Sequence, residues 1–113
     1  MNMKLHARRD GTVSVLEING RFDSHTAGAV SDWLDDAAGI APAQVVINMN
    51  GVSFVDSTAL ATLVSARRRC QERMGELHLC GLQKPVYMVF ELTRLNKTFA
   101  IFSDEQHAIQ AFD

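Results

Sequence analysis

The residues of this chain best suited to chemistry are three consecutive polar side chains, Asp56, Ser57 and Thr58, in the stretch FVDSTALATLV. An apolar run precedes them and an alanine- and leucine-rich segment follows, which predicts the junction between a buried strand and a helix. The first turn of a helix has amide groups without backbone partners, and aspartate and serine side chains commonly cap them. The simplest interpretation is that Asp56 is the N-cap and that the hydroxyl groups share this role.

Ser57 also fits a second interpretation, as the acceptor of a phosphate group. One cap needs one polar side chain, so three in succession leave at least one hydroxyl uncommitted. The amides and the dipole of a helix N-terminus favour a negative charge. Phosphorylation of Ser57 would add about −1.5 to −2 charges at this point, and such a change can act as a switch.

The segments around this junction predict an α/β layer fold. Apolar periodicity gives the element order β-β-α-β-α-β-α-β-α, in a mixed sheet that is parallel wherever a helix joins two strands. The hairpin signal Asp10-Gly11 separates the first two strands, and Gly20 is predicted to end the second. The strands are MKLHAR, TVSVLEI, QVVINM, ELHLCGL and TFAIF.

Capping residues and apolar stripes predict four helices. The first is DSHTAGAVSDWLDDAAG, with Asp and Ser cap candidates at its start, and it closes at Gly39. The second follows Ser57 and is stopped by Gly75; its apolar stripe is Ala59, Leu60, Leu63, Val64, Cys70 and Met74. Pro85 suits the first turn of the third helix. Ser103 predicts a capping box with Gln106, three residues on, for a last helix that ends near Phe112.

Composition narrows the class of protein. The chain has 113 residues, 47% of them apolar and 21% charged, with a net charge of −2, which predicts a single domain over residues 1–113. That charge gives no overall attraction to nucleic acid or to an anionic membrane. No run of about 18 apolar residues is present. Cys70 and Cys80 have no metal-ligand spacing, so we expect a reducing cytosol and no cofactor.

An enzyme is the first alternative to a switch. Ser57, His25 and either Asp23 or Asp56 contain the ingredients of a nucleophilic triad, but no G-x-S-x-G elbow surrounds the serine. No Walker-type glycine loop offers a nucleotide cradle. The sequence therefore favours a protein without catalytic groups.

Other polar and aromatic residues have plainer interpretations. The arginines of the second helix predict a solvated face rather than a nucleic-acid site: Arg67, Arg68, Arg69 and Arg73. The histidines are scattered without metal-ligand spacing: His6, His25, His78 and His107. Trp33, on the first helix, is either an edge of the core or a docking anchor.

The motifs together resemble a known family, the STAS domain, named for sulfate transporters and anti-sigma factor antagonists. The family opens a helix with Asp-Ser-Ser-Gly-Leu, which Asp56, Ser57 and Leu60 match. Upstream, INGRFDSHTA is similar to the family's Gly-x-Leu-Asp followed by Thr-Ala. Downstream, KPVYMVFELTRLNKTFAIF is similar to its proline, Leu-Thr-Gly-Leu and Phe-x-x-Phe pattern. The resemblance covers almost the whole chain and implies the element order given above.

This resemblance implies a cytoplasmic bacterial anti-sigma factor antagonist, a monomer or a weak dimer. Its partners would be an anti-sigma serine kinase, which phosphorylates Ser57, and a PP2C-type phosphatase. The partner-binding residues would be Asp23, Thr26, Asp56, Thr58 and Ala59. The alternative is a STAS subunit of a lipid-transport ABC assembly, which would hold a transporter ATPase.

Two departures from the family pattern are present. Thr58 and Ala59 replace the second serine and the glycine of the motif, and Arg94 replaces the glycine after Leu-Thr. If that last position needs a left-handed backbone, either Arg94 carries a small strain or Asn96 takes over the role.

Overall fold

The computed structural model describes residues 3–113, which form one five-stranded sheet with helices on both faces. The strands are β1 (Met3–Asp10), β2 (Val13–Phe22), β3 (Gln44–Val55), β4 (Glu76–Cys80) and β5 (Ala100–Phe102). The helices are α1 (Ala27–Ala37), α2 (Ser57–Glu72), α3 (Lys84–Leu92) and α4 (Glu105–Gln110), with a short 3-10 helix at Leu95–Lys97. The predicted fold class and element order are confirmed. The predicted single domain includes Met1 and Asn2, which lie outside the described residues.

The sheet follows chain order, β1-β2-β3-β4-β5. β1 is antiparallel to β2, and each later pair is parallel, as expected where a helix joins two strands. Alternate strand residues reach opposite faces, so Val45 and Ile47 pack with α1, α2 and α3 while Val46 packs with α4. Because β2 and β3 are parallel, their carboxyl ends lie at the same end of the sheet. The loops into α1 and α2 begin there.

Two glycines have different roles from those predicted. β2 does not end at Gly20 but continues to Phe22, with a shift in its pairing to β3 just after Gly20. Gly75 does not stop α2, because the left-handed residue at that end is Met74, with φ of 64°. A Cβ on Gly75 would lie 1.9 Å from the carbonyl oxygen of Ala43, so glycine is required there for close backbone approach. Met74, predicted on the apolar stripe, is 84% exposed beyond the end of the helix.

Three further local predictions are resolved. Asp104, not Ser103, caps α4, because the Asp104 carboxylate accepts a bond from the His107 amide. Pro85 lies in the first turn of α3, as predicted. Arg94 has φ of 62°, so of the two possibilities for this position it is Arg94 that adopts the left-handed backbone.

Candidate functional site

Asp56 is the N-cap of α2 and ties two loops together. Its backbone is extended, and one carboxylate oxygen accepts a hydrogen bond of 3.0 Å from the Ala59 amide. Its other oxygen accepts a bond of 2.9 Å from the amide of Ser24, in the loop between β2 and α1. The side chain thus satisfies an orphan amide of the first helical turn and also holds the neighbouring loop in place.

Ser57 is the first helical residue, and its side chain is exposed. Among residues 3–113, no hydrogen bond engages its hydroxyl or its amide. Thr58 is also exposed, and its carbonyl accepts a bond of 2.9 Å from the Thr62 hydroxyl. Ala59 differs from both, because it is 0% exposed. Its methyl group belongs to the core, so the side chain of Ala59 adds nothing to a partner-binding surface.

The loop beside Ser57 is organised around Asp23, which is only 6% exposed. Its carboxylate accepts bonds from the His25 amide at 3.0 Å and from the Thr26 hydroxyl at 3.3 Å. That hydroxyl lies 2.8 Å from the Arg21 carbonyl, to which it can also donate, and it accepts from the Asp23 amide at 2.9 Å. Thr26 is also the N-cap position of α1, in place of the predicted Asp23 and Ser24, although its side chain makes no capping bond.

The ionisation of Asp23 follows from these contacts. Burial opposes the charged carboxylate, but the bonds from the His25 amide, Arg21 and Thr26 outweigh it and lower the pKa of Asp23 below its ordinary value. Asp23 therefore remains an anion at neutral pH and supports the loop from within. Asp23 and Thr26 hold the loop between β2 and α1 together, and Ser57 and Thr58 are exposed hydroxyl-bearing residues beside it.

Arg21 and Phe54 form a feature that sequence reasoning missed. The two residues are register partners on β2 and β3, and the guanidinium lies 4.0 Å from the centre of the Phe54 ring. Arg21 Nε is also 3.4 Å from the Asp23 carboxylate. Phe54 is 39% exposed, so a fixed cation and an aromatic ring lie just before the Asp56 junction. Two shifts in the β2–β3 pairing precede this contact, and no local sequence signal predicts it.

The other candidate chemistries find little geometric support. His25 is 80% exposed in its side chain and 3.9 Å from Asp23, and within residues 3–113 no hydrogen bond joins it to Ser57. The described residues contain no group of three or more His, Cys, Asp or Glu side chains that could hold a metal ion. Arg67 and Arg69 lie in ion pairs with Glu76 at 3.2 Å and Asp35 at 3.0 Å. His78 packs in the interior against the ring of Phe112.

The family can now be identified, because residues 4–108 match the sequence profile described as the STAS domain. The chain belongs to the STAS domain family. The resemblance drawn from its motifs is thereby confirmed. None of the helices within residues 3–113 has the length and apolar character needed to cross a bilayer.

Two curated relatives carry similar names. An anti-sigma F factor antagonist of Paenibacillus polymyxa is 23% identical over 110 residues, covering 96% of this chain and 94% of the relative. An anti-sigma-B factor antagonist of Listeria monocytogenes is 28% identical over 102 residues, covering 89% of this chain and 90% of the relative.

Two solved structures share the fold of this STAS domain. An anti-sigma factor antagonist from Mycobacterium paratuberculosis superposes with a TM-score of 0.87 at 23% identity, covering 98% of this chain and 94% of the other. The Bacillus cell fate determinant SpoIIAA, solved in its phosphorylated form, gives 0.75 at 18% identity, covering 97% and 100%.

Proposed function

We propose that this STAS domain is an anti-sigma factor antagonist that is switched by phosphorylation of Ser57. The unphosphorylated form binds an anti-sigma serine kinase in the cytoplasm and so frees a sigma factor. The kinase transfers the γ-phosphate of ATP to Ser57, which ends the complex, and a PP2C-type phosphatase restores the binding form. The names of the curated relatives and the phosphorylated state of the structural neighbour support this proposal.

The observation that carries the proposal is the position of Ser57 immediately after the capping carboxylate. Its hydroxyl is exposed at the first position of a 16-residue helix, where free amides and the helix dipole favour an anion. A phosphate at this point adds charge without burying it, so we expect the fold to be retained.

The contacts of Asp56 also bear on which protein supplies the base for phosphate transfer to Ser57. In the reaction the Ser57 hydroxyl oxygen attacks the γ-phosphorus, the bond to ADP breaks and the hydroxyl proton must be accepted by a base. Both carboxylate oxygens of Asp56 already accept amide bonds. These two bonds give Asp56 a positioning role, and we expect the proton acceptor to come from the kinase.

The same geometry explains how the phosphate would end the complex. The phosphate oxygens would lie one residue from the Asp56 carboxylate and close to the loop that contains the Asp23 carboxylate. A kinase surface that accepts a neutral hydroxyl beside ATP is rich in negative charge, so like charges would meet at close range. Such a juxtaposition costs several kcal/mol.

Phosphopeptide mapping tests the acceptor. The kinase is first recovered by pull-down with unphosphorylated protein, and the chain is then incubated with it and Mg-ATP. We expect one phosphate, on Ser57, which is absent from the Ser57→Ala variant and present in Thr58→Ala. Phosphate on Thr58 with Ser57 bare would contradict the assignment. Recovery of a transporter ATPase in place of a kinase would favour the ABC-assembly alternative.

A further inference from the structure

The guanidinium of Arg21 is held from two sides and still has unused donors. It lies 4.0 Å from the centre of the Phe54 ring, and its Nε is 3.4 Å from a carboxylate oxygen of Asp23. A guanidinium has five N–H donors in one plane, and two of them side by side match the two oxygens of a carboxylate. Among residues 3–113 only Nε donates a hydrogen bond, so the donors on the two terminal nitrogens remain for another anion.

The ring of Phe54 adds an apolar surface next to this cation. Phe54 is 39% exposed, and the side chain of Arg21 is 45% exposed. Aromatic and arginine side chains often supply most of the binding energy of a protein interface. A side chain that is already fixed loses less conformational entropy on binding. The Arg21–Phe54 pair therefore has the composition and the order of an interface anchor.

A series of contacts connects this pair to the phosphate acceptor. Arg21 contacts the carboxylate of Asp23, and the amide of the next residue, Ser24, donates a bond of 2.9 Å to Asp56. Ser57 follows Asp56 directly and is exposed. The pair and the acceptor thus belong to one surface, formed by the loop between β2 and α1 and by the end of β3.

The size of a typical interface indicates which protein would cover this surface. Phe54 precedes Ser57 by three residues, and three residues of extended chain span at most about 11 Å. A stable interface covers about 800 Å² on each partner, which corresponds to a patch that extends about 16 Å from its centre. We therefore expect a kinase that encloses Ser57 to contact Arg21 and Phe54 as well.

We propose that Arg21 and Phe54 are a docking anchor for the anti-sigma kinase. A carboxylate side chain of the kinase binds the terminal nitrogens of Arg21, and an apolar side chain of the kinase packs on the ring of Phe54. A kinase with a lysine or arginine at this point is excluded by like charge, so the pair also selects among kinases. This inference rests on the proposed function, but it concerns affinity and choice of partner rather than the transfer of phosphate.

Calorimetry with the purified kinase tests the anchor in the Ser57→Ala background, where no phosphate can be transferred to residue 57. We expect Arg21→Glu to weaken binding at least about 30-fold, because it brings like charges together. Arg21→Lys keeps the charge but loses the planar fork, so its affinity should be intermediate. Phe54→Ala should weaken binding about tenfold. The matched control is Arg68→Glu, the same change in charge at an exposed residue about 16 Å along α2, and it should have less than a twofold effect.

A second measurement separates direct contact from support of the loop, since Arg21 also contacts Asp23. Salt screens an ion pair between two proteins. If Arg21 contacts the kinase, the difference in affinity between the parent and Arg21→Gln should shrink as the salt concentration rises. A difference that is the same at all salt concentrations would overturn the direct contact. If Arg21→Glu does not fold, as judged by circular dichroism, Arg21→Lys and Phe54→Ala decide the matter.

The same titrations distinguish failure of the anchor from failure of the switch. Equal binding of Ser57→Ala and Ser57→Asp would refute the switch, whatever the Arg21 variants show. If those two differ while Arg21→Glu and Phe54→Ala bind within twofold of their parent, the anchor is overturned and the switch stands. Titrations with and without Mg-ATP identify the anion: an effect of Arg21→Glu that requires the nucleotide would assign the anion to ATP and overturn the kinase carboxylate.

Discussion

The junctions β3–α2 and β5–α4 have the same kind of N-cap but differ in what the first helical residue contacts. In each, an aspartate with an extended backbone caps the helix and accepts from the amide three residues on, Asp56 from Ala59 and Asp104 from His107. They differ at the next residue. Ser57 is exposed with its hydroxyl uncommitted among the described residues, whereas Glu105 accepts a bond of 2.8 Å from Asn48 and pairs with Arg8.

The comparison shows that a cap does not by itself make a functional site. The carboxylate of Glu105 fastens α4 to the sheet, so that junction is a structural tie. At α2 the tie is made by the cap itself, since the second oxygen of Asp56 holds the Ser24 amide. The side chain of the first helical residue, Ser57, then makes no hydrogen bond within residues 3–113. Glu105 also shows that a negative charge is compatible with this helical position.

The largest expected effect is on binding of the kinase by variants of Ser57. Ser57→Ala keeps a good helix former, and Ser57→Asp repeats the anion found at Glu105, so both should fold. We expect Ser57→Asp to bind at least about 100-fold more weakly, because an anion would meet the negative charge around ATP. Isothermal calorimetry with each variant measures the ratio. Equal affinities would mean that Ser57 is not a switch.

A smaller effect separates the two caps. Asp56→Ala should cost about 1–2 kcal/mol in the free energy of unfolding, because it removes the cap and the acceptor of the Ser24 amide. Asp104→Ala should cost about 0.5–1 kcal/mol, since it caps a six-residue helix at the surface. Urea denaturation measures both. Asp56→Asn retains an acceptor for Ala59 but turns its amide to Ser24, so it should fall between wild type and Asp56→Ala. Equal losses in the two Asp56 variants would argue against capping.

The features of the two junctions that depend on neighbouring residues along the chain were predictable from the sequence. The apolar strand before Asp56 and the periodic helix after it located the cap, and the same reasoning placed Pro85 and ordered all nine principal elements. These features depend on neighbours along the chain, which period and capping rules describe. The bond from the Ser24 amide to Asp56 was not predictable, because it joins residues 32 positions apart through the β2–β3 register.

The failures have the same physical origin. Gly75 looked like a helix stop, yet its small size is required by the carbonyl of Ala43, the residue just before β3 and 32 positions earlier in the chain. Ser103 with Gln106 matched a capping box, but Asp104 provides the carboxylate. Two adjacent polar residues offer alternative caps, and the residue after the observed cap, Glu105, is bonded to Asn48 and Arg8 on distant strands.

The pH dependence of stability tests whether the Glu105 carboxylate holds α4 to the sheet. Burial opposes its ionisation, but the bonds from Asn48 and Arg8 prevail and lower its pKa below the ordinary 4.5. A lowered folded-state pKa contributes stability above pH 4.5 that disappears as the pH falls through the folded value. We expect Glu105→Gln to be less stable at neutral pH and to approach the wild type below pH 4.5. Asp23 and Asp104 also have pKa values below their ordinary ones, so the measurement is the difference between the denaturation curves of the wild type and Glu105→Gln. A constant difference at all pH values would exclude the ion pair as its source.

The smallest effect is expected at Ser103, and it distinguishes the observed cap of α4 from the one its sequence suggested. Ser103 is exposed and precedes the N-cap, and Asp104 accepts from His107 at 2.9 Å. Ser103→Ala should therefore change the free energy of unfolding by less than about 0.5 kcal/mol, the range of ordinary surface substitutions. Asp104→Ala, next to it, should cost more, because it leaves the His107 amide without an acceptor. Parallel urea curves of the two variants decide between the caps. If Ser103→Ala were the more damaging, the serine would cap α4 in solution, and the two junctions would differ in their caps as well as in their first helical residues.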